Sequence, residues 1–299
     1  MKEALSLERR PVKYVVQWLK ERELIRPLLL AHQAYAALAV AHLSPRLFPR
    51  SRYFLAQGNE EWALLFYAHT APTPLTLTLG EEGPLEALLR LHPGPRWTFL
   101  SLQTHHLAVA QRHFSLSQRH LMLRMRVDAD SFTPPPPVPQ VEVVRLTGRE
   151  VAAINRLYSA EGGVTSYPPS VIDEGIYYGG MWDGKLVAIA GTHVVAPEEG
   201  VAVVGNVFTH PRFRGRGLAT LVTGAVTGHL LDICRQVYLT VDSQNAPAIA
   251  AYRRLGYRVE CTLYETPALR RDLVGLFPLL RRLMARWRGG DQGNEIVIL

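Results

Sequence analysis

Apolar residues recur with two spacings along this chain, and each change of spacing marks an element. After residue 140 the order is regular. "VEVVRL" (141–146) alternates as a strand. Residues 148–161 place Val151, Ile154, Leu157 and Tyr158 on one helical face, and "GGVTSYPPS" (162–170) breaks that helix. Residues 179–195 form a hairpin turning at Asp183-Gly184. A strand over 201–209 and a helix over 218–234 follow, then a strand over 236–242, a helix over 246–256 and a strand over 257–265. The first half reads as helices over 11–23 and 25–43 and strands over 52–57, 61–69 and 74–80. A helix over 83–91, a strand over 96–103, a helix over 105–114 and a strand over 119–127 complete it. Both halves thus close as strand, helix, strand, which points to a divergent internal duplication. The last apolar segment, 268–287, mixes leucines with arginine pairs and predicts a helix or helix pair kinked near Pro278. Such a helix can lie on a membrane; the preferred reading docks it on the protein.

"FTPPPPVPQ" (132–140) fits neither helix nor central strand and makes a stiff connector. It divides the chain into an accessory half (1–133), a linker (134–140) and a mixed α/β half with a helical extension (141–299).

The 299 residues are 47% hydrophobic and 20% charged, enough for a sizeable core. No apolar run is long enough to span a membrane, and the N-terminus lacks a secretory pattern. Two cysteines, Cys234 and Cys261, suit a cytoplasmic protein without disulfides. The formal charge is +7, with 16 basic against 11 acidic residues in 1–133 and 17 against 15 in 134–299. The basic residues are scattered without interleaved aromatics, which argues against nucleic acid. The histidines show no metal-ligand spacing, so no metal is expected.

One stretch carries chemistry. "HPRFRGRGLAT" (210–220) follows an apolar strand and opens a helix. The first amides of a helix lack internal partners and its dipole is positive there. Glycines at 215 and 217 let an anion approach without a Cβ in the way. The stretch suits a diphosphate. It contains no GxxxxGK[ST] string, and Thr220 stands where a dinucleotide fingerprint needs glycine.

Arg214, Gly215, Arg216, Gly217, Leu218 and Ala219 resemble the Q/R-x-x-G-x-G/A motif of the Gcn5-related N-acetyltransferase (GNAT) family. The lead-in His210, Pro211, Phe213 is similar too. A second block, Asn245, Ala248, Tyr252, Gly256 and Tyr257, resembles the family's N-x-x-A-x-x-x-Y-x-x-x-G-F/Y segment. The resemblance covers about 141–265. It implies a mostly antiparallel central sheet flanked by helices, here a tandem pair whose first copy is degenerate, as in glycine N-acyltransferase-like and tandem GNAT proteins.

The resemblance implies an N-acetyltransferase that binds acetyl-CoA between splayed strands 201–209 and 236–242. Val207, Phe208 and Thr209 would lie along the pantetheine arm, and the amides of Gly215–Thr220 would hold the pyrophosphate. Asn245 would touch the cofactor arm, although Asn is also a helix cap. Tyr252 would protonate the leaving thiolate. Many relatives carry a glutamate base where this chain has Thr240, so the base is open among Glu161, Asp242, His193 and His210. The acceptor would be an amine of a small molecule or peptide. Alternatives are a longer acyl-CoA or a non-catalytic CoA-binding module. The loop 161–180, with Tyr167, Tyr177 and Tyr178, is expected to wall the acceptor site. In the first half "EEGPLEALL" is acidic where phosphate would sit, and Val109 stands in place of Tyr252, so one CoA per chain is expected, in a monomer or homodimer.

Overall fold

The predicted turn at Asp183-Gly184 forms with positive φ at both residues, 46° and 71°, the geometry of a tight hairpin. A computed structural model of the protein describes residues 12–69, 73–163, 166–272, 275–289 and 295–299. The second half runs β8 (Val141–Leu146), α5 (Val151–Ser159), α6 (Pro169–Glu174), β9 (Tyr177–Trp182), β10 (Lys185–Ala196) and β11 (Val201–Thr209). It continues as α7 (Leu218–Leu231), β12 (Gln236–Asp242), α8 (Ala246–Arg254) and β13 (Arg258–Arg270). The first half runs β1 (Lys13–Leu19), α1 (Arg22–Leu30), α2 (Gln33–Ala41), β2 (Ser51–Gly58), β3 (Glu61–Ala68) and β4 (Leu75–Gly80). Then come α3 (Glu82–Leu91), β5 (Trp97–Leu102), α4 (Leu107–His113), a short β6 (Phe114–Leu116) and β7 (His120–Asp128).

Apart from β6, the two halves repeat one order of strands and helices. Each half has three antiparallel pairings and one parallel pairing, β4 with β5 and β11 with β12. The mixed α/β class and the mostly antiparallel sheet flanked by helices are thus present.

The last strand of each half crosses into the other. β7 pairs with β12, β13 pairs with β5, and the two crossing strands pair with each other. The result is one continuous sheet in the order β14-β1-β2-β3-β4-β5-β13-β7-β12-β11-β10-β9-β8, where β14 is Glu295–Ile298. Alternate side chains of β11 face opposite layers: Val201 and Val203 join the cluster around α1 and α2, Ala202 and Val204 that around α7 and α8. A buried Glu199 paired with Arg26, and Gln33 bonded to Gln236 at 2.9 Å, tie α1 and α2 to the second half.

Two expectations are corrected. Residues 13–19, read as helix, are strand β1. Tyr14, Val16 and Leu19 turn inward while their neighbours do not, and pairing with β2 and β14 on both sides overrides the local pattern. The C-terminal segment is a single helix, α9 (Leu276–Gly289), entered after β13 and followed by β14. Leu273 and Val274 lie outside the described residues. Pro278 sits in the first turn, where no amide bond is lost, so it kinks nothing. Pro278 and Ala285 face the protein, whereas the leucines of this helix face outward. Among the described residues no helix is long and apolar enough to cross a membrane.

Two histidines are buried without a counter-charge. His42 donates from Nδ1 to the Leu38 carbonyl (2.8 Å), and His106 donates to the Gly80 carbonyl (2.8 Å) and accepts from Thr78 (2.9 Å). Burial pushes both down to about 4, so both are neutral in the folded state at pH 7. Unfolded, each binds a proton below about 6.5. Stability is therefore complete above pH 6.5. It is lost as pH falls toward 4, by about 1.4 kcal/mol for each ring over every pH unit in that window. Thermal melts between pH 7 and 4.5 are expected to show this slope. His42→Phe, which keeps a ring packed against Phe66, should remove one ring's share of the slope and leave that of His106.

Candidate active site

β11 and β12 run parallel and pair from Val201↔Gln236 to Val204↔Leu239, and there the pairing stops. Both strands continue. Beyond that point β11 stays on β10 through Ile189↔Phe208 and Ala188↔Thr209, while β12 stays on β7 through Thr240↔Arg124 and Asp242↔Met122. The strands part like a V, leaving one edge of residues 206–209 unpaired. The apex is Asn206, held at φ 55°, a left-handed conformation unusual for a residue with a side chain. Three tyrosines fix it. The Tyr158 hydroxyl donates to the Asn206 carbonyl (2.6 Å) and the Tyr167 hydroxyl to Asn206 Oδ1 (3.0 Å). Asn206 Nδ2 donates to the Tyr177 hydroxyl (2.9 Å), which itself donates to the Thr192 carbonyl (3.2 Å). Two of the three loop tyrosines therefore build the gap. Tyr178 instead bonds His229 on α7, away from it (3.1 Å). Val164 and Thr165 of that loop lie outside the described residues.

The open edge leads into the arginine-glycine turn. His210 Nδ1 accepts from the Arg212 amide (3.3 Å) and steadies the turn. Gly215 and Gly217 have φ 76° and 79°, which favours glycine at both. The first helical bond of α7 runs from the Leu221 amide to the Gly217 carbonyl (3.0 Å), so the amides of Leu218, Ala219 and Thr220 precede it. Of the arginines, Arg214 pairs with Glu161 and also donates to the Thr209 carbonyl (3.2 Å). The Arg216 guanidinium lies over the Trp182 and Phe213 rings, 5.2 and 5.5 Å from their centres. The turn therefore presents backbone amides more openly than its Arg214 and Arg216 side chains. Along the gap Val207 packs toward the α7 side and Phe208 toward Tyr158. Thr209 Oγ1 is buried without a hydrogen-bond partner among the described residues.

Tyr252 lies on the inner face of α8, its ring centre 6.1 Å from that of Tyr257. Burial raises its phenol to about 12, so it carries its proton throughout the neutral range. Asn245 caps α8, Oδ1 accepting from the Ala248 amide (3.2 Å).

The four base candidates separate clearly. Glu161 is paired with Arg214, Asp242 with His120 (2.8 Å) and the Gln244 amide (2.8 Å), and His210 caps its turn. His193 alone makes no hydrogen bond among the described residues. Its imidazole lies over Gly205, where any Cβ would strike the ring at 2.0 Å. Its side chain is exposed. Burial, helped by Arg124, lowers it to about 4 and keeps it neutral.

The sequence reading missed Asn206 and Arg124. A Gly-Asn pair inside an apolar strand is a bulge signal that could have revealed the first. Arg124 comes from the first half on β7 and faces Thr240 across the strands. It is wholly buried, none of its guanidinium nitrogens has a hydrogen-bond partner among the described residues, and Glu265 lies 3.7 Å away.

The first half has no equivalent turn. Only Glu81 separates β4 from α3, against eight residues between β11 and α7. Val109, in the place of Tyr252, is buried in the core.

Residues 154–257 match the Acetyltransferase (GNAT) family. A GNAT-family protein from Novosphingobium aromaticivorans superposes with a TM-score of 0.52 at 23% identity, over 70% of this chain and 89% of its own. A GCN5-related N-acetyltransferase from Kribbella flavida gives 0.51 at 19%, over 69% and 86%. A Drosophila protein gives 0.64 at 15%, over 85% and 98%. These likenesses concern the fold. No curated protein matches the sequence. The splayed strands and the glycine turn both lie within the segment that matches this acetyltransferase family. The family match is confined to the second half, and the order of elements found there occurs a second time in the first half.

Proposed function

We propose that this protein transfers an acetyl group from acetyl-CoA to an amine, with one cofactor bound per chain in the second half. The observation that carries this reading is the unpaired edge of β11 running directly into a positive-φ glycine turn and the free amides of α7. Coenzyme A fits that path. Amides at 215–220 suit its pyrophosphate, the edge at 207–209 suits its pantetheine amides, and Thr209 Oγ1 is a buried polar atom in want of a partner. Bound there, acetyl-CoA supplies an activated acyl thioester.

The rest of the chemistry falls to the chain. His193, neutral and exposed, takes the proton that the neutral amine sheds as it attacks the thioester. The Thr209 amide faces the thioester carbonyl as an oxyanion donor. Tyr252, protonated at neutral pH, supplies a proton to the departing sulfur. Arg124 puts a positive charge beneath the same face of the sheet, partly offset by Glu265 at 3.7 Å, which favours an acidic group on the acceptor.

Gly217→Val tests the cradle. A branched residue resists φ 79° and turns the first amides away, so calorimetry is expected to show CoA bound about 10-fold or more weakly than by the parent. Absence of heat with CoA or acetyl-CoA on the folded parent protein would overturn the reading.

A further inference from the structure

Helix α9 turns its apolar side away from the protein. On a helical projection Leu276, Leu280, Leu283 and Trp287 share an arc of about 60°. Leu279 borders one edge, and Phe277 and Met284 the other. All seven are exposed, Trp287 at 88% and Phe277 at 65%. The opposite side, through Pro278 and Ala285, meets the body. Arg286, bonded to Glu295 of β14 (3.0 Å), anchors the helix from its flank. A helix that merely covered the core would have the reverse orientation.

Charge lies beside the apolar arc. Residues 276–289 contain four arginines and no acid. Arg281 and Arg288 make no ion pair among the described residues, and both line a groove of about 900 Å³ beside the helix. Arg90, Arg112, Arg270 and Arg271 line the same groove, and its acids are Glu86 and Asp272. Glu86 is already held by Arg90, Arg112 and His113. Six arginines against two acids leave the groove strongly positive.

We propose that α9 and this groove form a docking surface for an anionic phospholipid bilayer. The apolar arc enters the boundary between headgroups and acyl chains, and the flanking arginines meet lipid phosphates. Apolar residues bordered by cations on one outward face match the layering of that surface. The site is separate from the CoA gap, so the proposal stands whether or not acyl transfer is correct.

The test is co-sedimentation of the full chain with vesicles of phosphatidylcholine alone and of phosphatidylcholine mixed with phosphatidylglycerol. Binding is expected to the mixed vesicles, to weaken with added salt, and to be nearly absent with phosphatidylcholine alone. Arg281→Ala and Arg288→Ala should each weaken it about 5-fold. Leu280→Glu with Leu283→Glu should abolish it; both positions face solvent, and an unchanged melting temperature checks the fold. Mixed vesicles that fail to bind, or that bind these variants equally, overturn the proposal. So does a dimer in analytical ultracentrifugation that the Leu280→Glu, Leu283→Glu protein cannot form, if the vesicles stay bare.

Discussion

Replacing His193 by alanine is expected to lower kcat/KM for the best amine by about 100-fold or more, while CoA binds as before. The other candidate bases already have partners: Glu161, Asp242 and His210 are each engaged in the turn or loop they stabilise. His193 lacks one and sits on the face that carries Thr240 and Arg124. Because burial holds it near 4, its neutral form persists across the working range, and the acidic limb of the rate should follow the acceptor amine instead. Under the proposed mechanism Tyr252→Phe should give the companion result, a fall in kcat with little change in KM, because the phenol would act on the departing thiol rather than on binding. The assay is thiol release over an amine panel, with each amino acid set against its decarboxylated amine. A preference for the carboxylate-bearing member would fit Arg124. A His193→Ala protein as active as the parent would remove this ring from the mechanism, and the absence of stimulation by every amine would favour a CoA sensor.

Cutting the chain within 134–140 is expected to leave neither half folded. The segment 141–299 alone would lose β7, the partner of β12 along its whole length, and β13 would lose both β5 and β7. The segment 1–133 would lose β13 beside β5 and β14 beside β1. Two sheets with long bare central edges forfeit more than the roughly 5–15 kcal/mol that separates folded from unfolded domains. Circular dichroism melts should show no cooperative transition for either fragment. Co-expression of the two pieces should restore one, as a complex in size-exclusion chromatography. A fragment 141–299 that melts cooperatively and binds CoA would show that β7 is dispensable.

Most of the element order was legible because it rests on local patterns. The hairpin at Asp183-Gly184, the strand at 236–242 and helices α7 and α8 follow from turn chemistry and periodicity. The glycine turn was legible because positive φ and helix amides are local properties. What escaped depends on distant partners. β1 is a strand because β2 and β14 flank it. The exchange of β7 and β13 leaves no trace in either strand's pattern, since the alternation of a strand does not say which neighbour its edges pair with. Arg124 looked like one more basic residue, and only the exchange carries it beside Thr240. His193 could be named as a candidate but not chosen, because the choice depends on which rivals find partners.

The three phenols gathered on Asn206 have a kinetic consequence. Both polar ends of its amide and its carbonyl are already engaged, so the bend in β11 is built when the chain folds rather than when a ligand arrives. The slot is ready-made, and under the proposed function a nucleotide thioester would enter it with no prior rearrangement of the sheet. Ordering entropy is then spent during folding instead of at each encounter.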